Sequence, residues 1–207
     1  MISEPAADLE AVLSEARDLG FLGPGSIPPQ ILHARGFASA TTRTPESFLD
    51  LGSGGGLPGL VLAAMWPGAT GVLLDTMRRR ADFLERACAT LGLADRISVV
   101  CARAETAAHD PALRERFDLV TARSFGAPAV AAECAVAFLR PTAELVVSEP
   151  PEDVAGRWPV EPLAELGLVM IRAASPAARF VTLGRTGPLD PGTPRRPGMP
   201  EKRPRWA

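Results

Sequence analysis

One stretch constrains the fold of this chain more than any other: Phe48-Leu49-Asp50-Leu51-Gly52-Ser53-Gly54-Gly55-Gly56-Leu57-Pro58-Gly59. An apolar run reaches an acidic residue and a glycine-rich turn follows. Pro58 then opens Leu60-Val61-Leu62-Ala63-Ala64-Met65-Trp66. Proline suits a first helical position because the N–H it lacks would be unpaired there. The pattern predicts strand, tight loop, helix. Glycines allow positive φ and let a ligand lie against bare backbone, and the free N–H groups at a helix start face that same ligand.

Two ligands suit such a loop. Gly54, Gly56 and Gly59 satisfy G-x-G-x-x-G, and Asp75 stands where a ribose-binding acid is expected in a dinucleotide site. Asp50 tilts the choice, because an anion just ahead of the glycines would repel a pyrophosphate. It suits a cationic ligand such as S-adenosyl-L-methionine, with its amino group and sulfonium. The dinucleotide and a ligand-free structural turn stay open as alternatives.

From Ser47 onward, apolar strands alternate with helical stretches. Strands are expected at 47–51, 71–75, 97–101, 117–122 and 143–148, and helices at 58–66, 77–91 and 127–138. That alternation implies an α/β fold: a Rossmann-like, doubly wound, mostly parallel sheet covered on both faces, with its loops gathered along one edge. A helix near 160–166 and strands near 168–172 and 178–184 would complete the sheet as a hairpin. Ahead of the domain (45–186), residues 1–44 read as a short helical extension. One helix covers 5–19 and another runs from Ile31 to Ala40 after Pro28-Pro29, with His33 a surface or internally satisfied histidine. The tail from Gly187 is rich in proline, glycine and arginine, so regular helix or strand is not expected. It reads either as a solvated end or as a basic arm for RNA phosphates, with Trp206 available for stacking.

With 207 residues, 46% of them apolar, the chain can build one domain with a substantial core. A net charge of −2 advertises no global basic field. The three cysteines, Cys88, Cys101 and Cys134, are scattered in apolar contexts and read as buried thiols in a reducing compartment, not as a disulfide framework or metal site. No stretch approaches the roughly 20 apolar residues of a membrane span, and the first residues lack a signal-peptide pattern. A soluble, cytoplasmic monomer is expected.

Candidate site residues follow from their places at strand ends. Asp75 could accept both hydroxyls of a ribose or cap the following helix. Glu105, after Cys101-Ala102-Arg103-Ala104, could hold an adenine or be a surface acid. Arg78-Arg79-Arg80 sits at a helix start, where the dipole disfavours cations, and reads as a solvated face or a phosphate contact. Asp118 fits a loop cap. Arg123 and Ser124 stand at the ligand edge, where an arginine among apolar neighbours must be paired or point into a cleft. No nucleophilic triad and no zinc-ligand spacing occur. An acceptor with a free lone pair, such as guanine N7, needs no base, so a site rich in arginine fits methyl transfer governed by proximity and orientation.

Four blocks, Asp50 to Gly59, Leu73 to Leu84, Arg103-Ala104-Glu105 and Phe117 to Phe125, together with Pro194 to Lys202, resemble the bacterial 16S ribosomal RNA guanine-N7 methyltransferases, the glucose-inhibited division protein B family. The resemblance implies a class I methyltransferase fold, S-adenosyl-L-methionine as donor, and 16S ribosomal RNA or the small ribosomal subunit as partner, with no metal. It implies donor contacts from Gly52, Leu57, Ala104, Glu105 and Arg123, with Arg123 also the candidate catalytic residue; Ser53, Gly54, Asp75 and Thr76, at the same strand ends, complete the expected donor site. It implies RNA contacts from Arg79, Arg195, Arg196, Lys202 and Arg203. Two departures stand out: the family's Asn-Leu-Thr element is absent near Gly23-Pro24-Gly25, and Ser148-Glu149-Pro150-Pro151 replaces a lysine-glycine pair. They leave room for a small-molecule methyltransferase or a non-catalytic RNA-binding paralogue.

Overall fold

The structure, a computed structural model, describes residues 5–150, 156–173 and 179–206. Two helices, α1 (Pro5–Asp18) and α2 (Ile27–Ala40), precede the first strand β1 (Ser47–Leu51). Then follow α3 (Gly59–Met65), β2 (Thr70–Asp75), α4 (Arg78–Thr90), β3 (Ile97–Cys101), α5 (Ala104–Ala107), β4 (Phe117–Ala122) and α6 (Pro128–Val136). The chain closes with β5 (Leu139–Ser148), α7 (Val160–Glu165), β6 (Leu168–Arg172), β7 (Phe180–Arg185) and the single turn α8 (Met199–Lys202). All strands join one sheet in the order β3-β2-β1-β4-β5-β7-β6. The first five are mutually parallel, and β7 slots between β5 and β6, antiparallel to both.

The central strands are apolar throughout because both faces of the sheet are buried. On one face, Leu13, Phe37, Phe48, Leu60, Leu62, Phe83 and Leu84 unite α1, α2, α3 and α4 over the sheet. On the other, α5, α6 and α7 pack through Ala104, Val130, Ala135, Phe138 and Leu163. The first two helices are therefore part of one covering layer.

Three local expectations are corrected. α2 begins at Ile27, four residues before the expected start at Ile31, because Pro28 and Pro29 sit in its first turn, where their missing N–H groups have no helical partner to lose. β5 begins at Leu139, ahead of the expected 143, with Pro141 carried near its start. The tail contains a regular turn after all: α8 places Pro200 in its first turn, again where proline is tolerated. The tail is also packed. Thr193 and Pro200 are buried, and Trp206 lies with Trp158 at 6.5 Å between ring centroids.

The order of strands reverses at β1 and β4, so their outgoing chains diverge to opposite sides. A crevice opens there, at the carboxyl ends of the parallel strands, where open α/β sheets bind ligands.

Candidate active site

The glycine loop rests on Asp50, which is 1% exposed at the end of β1. Its Oδ1 accepts the Thr121 hydroxyl at 2.9 Å and its Oδ2 accepts the Gly59 N–H at 3.0 Å. One carboxylate thereby ties β1, β4 and the start of α3. Burial pushes its carboxyl up to about 6 against these hydrogen bonds and the Arg123 charge. The electrostatic role expected of Asp50 toward a cationic ligand is thus corrected: its oxygens face the underside of the loop. Gly59 is required beside it, since a Cβ there would lie 2.6 Å from Asp50 Oδ2 and 2.4 Å from Leu73.

Above Asp50 the loop forms one wall of a crevice. Gly52 has φ +74°, and a Cβ on it would meet the Phe125 ring at 2.7 Å. Ser53 is buried, its hydroxyl donating to the Asp50 carbonyl at 2.9 Å. A cavity of about 240 Å³ runs from Gly52 past Asp75, Thr76, Ala104 and Glu105 to Phe125. It continues into a cleft of about 200 Å³ lined by Gly52, Ser53, Gly54, Leu57 and Arg123, closed by Phe21 and Leu22 ahead of α2. All nine residues expected to contact the donor therefore lie along this one crevice.

Asp75, 4% exposed, accepts the Gly54 N–H at 2.9 Å and the Met77 N–H at 2.8 Å, with Arg80 at 3.7 Å. It braces the glycine loop and the start of α4 together, and a carboxylate with about four lone-pair sites keeps acceptor capacity toward the cavity. Glu105 accepts Arg103 Nη2 and the Gly198 N–H, both at 2.8 Å. Burial alone would raise its carboxyl, but these donors outweigh it and hold the group below its ordinary range.

Arg123 leaves the end of β4 between the strands that diverge. Its Nη2 donates to Gln30 Oε1 at 3.3 Å, while Nη1 is buried with no hydrogen-bond partner among the described residues. Burial lowers its pKa and the Asp50 charge opposes that; an arginine so placed stays charged. Ser124, next to it, has φ 53°, a left-handed conformation stored where the crevice branches. The branch leads into a second cavity of about 310 Å³ whose walls include His33, Arg123, Ser124, Phe125, Glu149 and Trp158.

The basic residues divide. Arg79 is exposed and lies 5.9 Å from the Phe21 ring centroid. Arg196, Lys202 and Arg203 are exposed on the tail. Arg195 is committed elsewhere. Its Nε and Nη2 donate to the fully buried Glu133 at 2.7 and 2.6 Å, its backbone N–H donates to the same carboxylate at 3.0 Å, and Arg205 Nε stands 3.3 Å away. It anchors the tail to α6. Asp118 caps the opposite edge of the sheet, accepting the N–H groups of Glu46 and Ser47. Cys88 and Cys134 are buried as expected, but Cys101 is exposed at the end of β3, because that strand is the sheet's edge. Among the described residues no group of three His, Cys, Asp or Glu could hold a metal ion, and no helix is long and apolar enough to cross a membrane.

Sequence reasoning missed Phe125, Trp158 and Glu201 as lining residues, and Arg80, read only within its basic run, joins them. Of the three missed, only Phe125 carried a signal, standing two residues past Arg123 at a strand end. Glu133 also had one: a lone acid inside Pro-Ala-Val-Ala-Ala-Glu-Cys-Ala-Val must be paired if that helix is buried all round.

This arrangement is the class I methyltransferase fold. An O-methyltransferase from Bacillus cereus in complex with SAH superimposes with a TM-score of 0.65 at 16% identity, covering 90% of this chain and 94% of that one. An O-methyltransferase from Streptomyces achromogenes in complex with SAM gives 0.58 at 21%, covering 85% and 90%. A family model described as rRNA small subunit methyltransferase G matches residues 30–149, and the chain belongs to that family. Ribosomal RNA small subunit methyltransferase G of Synechococcus sp. strain CC9902 is 38% identical over 130 residues, covering 63% of this chain and 51% of the relative. The protein of the same name from strain WH7803 is 34% identical over 178 residues, covering 79% and 68%. The chain thus spans about half the length of the first of these relatives.

Proposed function

We propose that the chain transfers a methyl group from S-adenosyl-L-methionine to N7 of a guanine in 16S ribosomal RNA, as a monomer acting in the cytoplasm. The observation that carries this reading is the pair of cavities meeting at Arg123, Ser124 and Phe125, one on the glycine loop and one beyond it. Two reactants held in adjoining cavities gain from proximity and orientation, the main requirement of this reaction.

The residues present fit the donor. Bare backbone at Gly52 and Gly54 leaves room for its methionine portion. The unpartnered Nη1 of Arg123 suits the α-carboxylate. Asp75 retains acceptor capacity for ribose hydroxyls, and Ala104 with Glu105 borders the space for adenine. The donor supplies an electrophilic methyl on a sulfonium. Arg123 and Ser124 would hold the acceptor ring nitrogen beside it, at the junction of the two cavities. A nitrogen with a free lone pair would take the methyl as the donor's sulfonium becomes a neutral thioether, so no proton would have to be removed. No general base is needed, in keeping with the acids here being tied to N–H groups. Arg79, Arg196, Lys202 and Arg203 would hold phosphates around the crevice. Arg195 would serve them indirectly by fastening the tail.

The test is transfer of radiolabelled methyl to unmodified 16S ribosomal RNA and small subunits, in parallel with a pool of small metabolites. Label at guanine N7, lost in Arg123→Ala, supports the reading. Donor binding with label only in a metabolite, or in nothing, overturns it.

A further inference from the structure

The second cavity is built for more than an unspecified acceptor. Its deepest polar group is Glu149, just past the end of β5, with a side chain only 2% exposed. Oε1 accepts the Trp158 indole N–H at 3.1 Å. Oε2 lies 2.9 Å from Arg157 Nη1 but receives no well-directed hydrogen bond among the described residues. A carboxylate offers about four lone-pair sites, so these two neighbours leave it acceptor capacity at the wall of the cavity. Burial pushes its carboxyl up, against Arg157 and the Trp158 N–H. Arg157 covers Oε2 from the rim, where its own side chain is 33% exposed, so a base reaching Oε2 would have to displace it.

Flat groups line the approach: Phe125, the His33 imidazole and the Trp158 indole share this cavity with the carboxylate. Stacking surfaces plus an inward acceptor pair describe a pocket for a planar ring that presents two adjacent N–H donors on one edge. Guanine offers N1–H and N2–H₂ side by side. Adenine and cytosine place a ring lone pair against the carboxylate, and uracil has a single N–H on that edge. With its Watson–Crick edge on Glu149, guanine turns N7, across the ring system, back toward the junction at Arg123 and Ser124.

We propose that Glu149 is the residue that selects the acceptor base, receiving the N1–H and N2–H₂ of a guanine flipped out of its helix into the His33–Phe125–Trp158 cavity. This rests on the methyl-transfer reading above and adds the element of recognition to it. It also gives a purpose to the acid that stands where the resembling family has a lysine-glycine pair.

The experiment uses the whole chain and 16S ribosomal RNA assembled by ligation with either guanosine or inosine at the acceptor position, inosine lacking only N2–H₂. For the wild type, inosine should lower kcat/KM about 10-fold. For Glu149→Gln, kcat/KM on guanosine should fall about 10- to 100-fold, the range for a hydrogen bond to a buried charge, with the donor Kd unchanged. The guanosine-to-inosine ratio should then collapse toward 1, because the two changes remove the same contact. Equal wild-type rates on guanosine and inosine would overturn the assignment, and that comparison stands even if Glu149→Gln fails to fold. A variant retaining wild-type kcat/KM and ratio overturns it as well. If the wild type binds donor yet methylates neither RNA, the parent reading fails, and the inference with it.

Discussion

Arg195→Ala tests the tail anchor most directly. Glu133 is fully buried on α6, and all three of its hydrogen-bond donors among the described residues come from Arg195. The backbone N–H survives the substitution and Arg205 Nε remains at 3.3 Å, so the buried charge is weakened in its pairing but not abandoned. Removing one partner of a buried pair costs about 3–5 kcal/mol, and the remaining N–H and the nearby Arg205 charge place this case near the lower end, about 3. With a urea slope of about 2 kcal/mol/M, the unfolding midpoint should fall by about 1.5 M. Replacing both partners, as in Glu133→Ala with Arg195→Ala, should cost less than Arg195→Ala alone, since no uncompensated charge is left. The dependence on pH has a definite sign. Burial raises the Glu133 carboxyl, but the Arg195 side chain and N–H outweigh it and hold the group below its ordinary 4.5. Its contribution is therefore present above that value and lost as pH falls through the lower, folded-state one. Urea titrations of the wild type and both variants decide the matter. A midpoint shift under about 0.5 M for Arg195→Ala, or a double variant less stable than the single one, would refute the anchor.

Three further outcomes are expected. Gly52→Val should weaken donor affinity at least about 100-fold by equilibrium dialysis, because a β-branched residue at φ +74° is strained and its Cβ would overlap Phe125; wild-type affinity would remove Gly52 from the donor site. Asp50, raised from 3.8 to about 6, should cost the wild type about 2 kcal/mol of stability relative to Asp50→Asn as pH rises from 4 to 6; a flat difference across that window in urea titrations would contradict its buried placement. A maleimide should modify only Cys101 in the folded chain, because burial pushes Cys88 up to about 11 and Cys134 higher still, and all three on unfolding; rapid loss of two thiols in mass spectra of the native protein would contradict the packing of α4 or α6.

The sheet was legible because its strands carry near-continuous apolar runs punctuated by Gly52 and Asp75, a signal that depends only on neighbours in sequence. α5 was not, since Ala104–Ala107 is too short to show helical periodicity. The prolines misled in a consistent way: Pro28-Pro29 and the tail's Pro200 read against helix, yet each sits in a first turn, where a missing N–H costs nothing. The tail's composition announced irregular backbone and stayed silent on packing, which depends on Glu133, 62 residues from Arg195. Asp50 was recognised as important, but the direction of its carboxylate is settled by Thr121 on another strand.

The crevice and its branch draw on different parts of the chain. Loops after β1, β2 and β3 line the donor side, while α2, the end of β5 and the Arg157-Trp158 pair wall the other. Among the described residues, Arg123, Ser124 and Phe125 alone border both the crevice and its branch. On the proposed reading, what is modified and what it is modified with are thus written in nearly separate vocabularies. Substitutions at His33, Glu149, Arg157 or Trp158 would then change the object of the reaction and leave its reagent alone, so a new acceptor would be within reach of a few residues, without rebuilding the glycine loop.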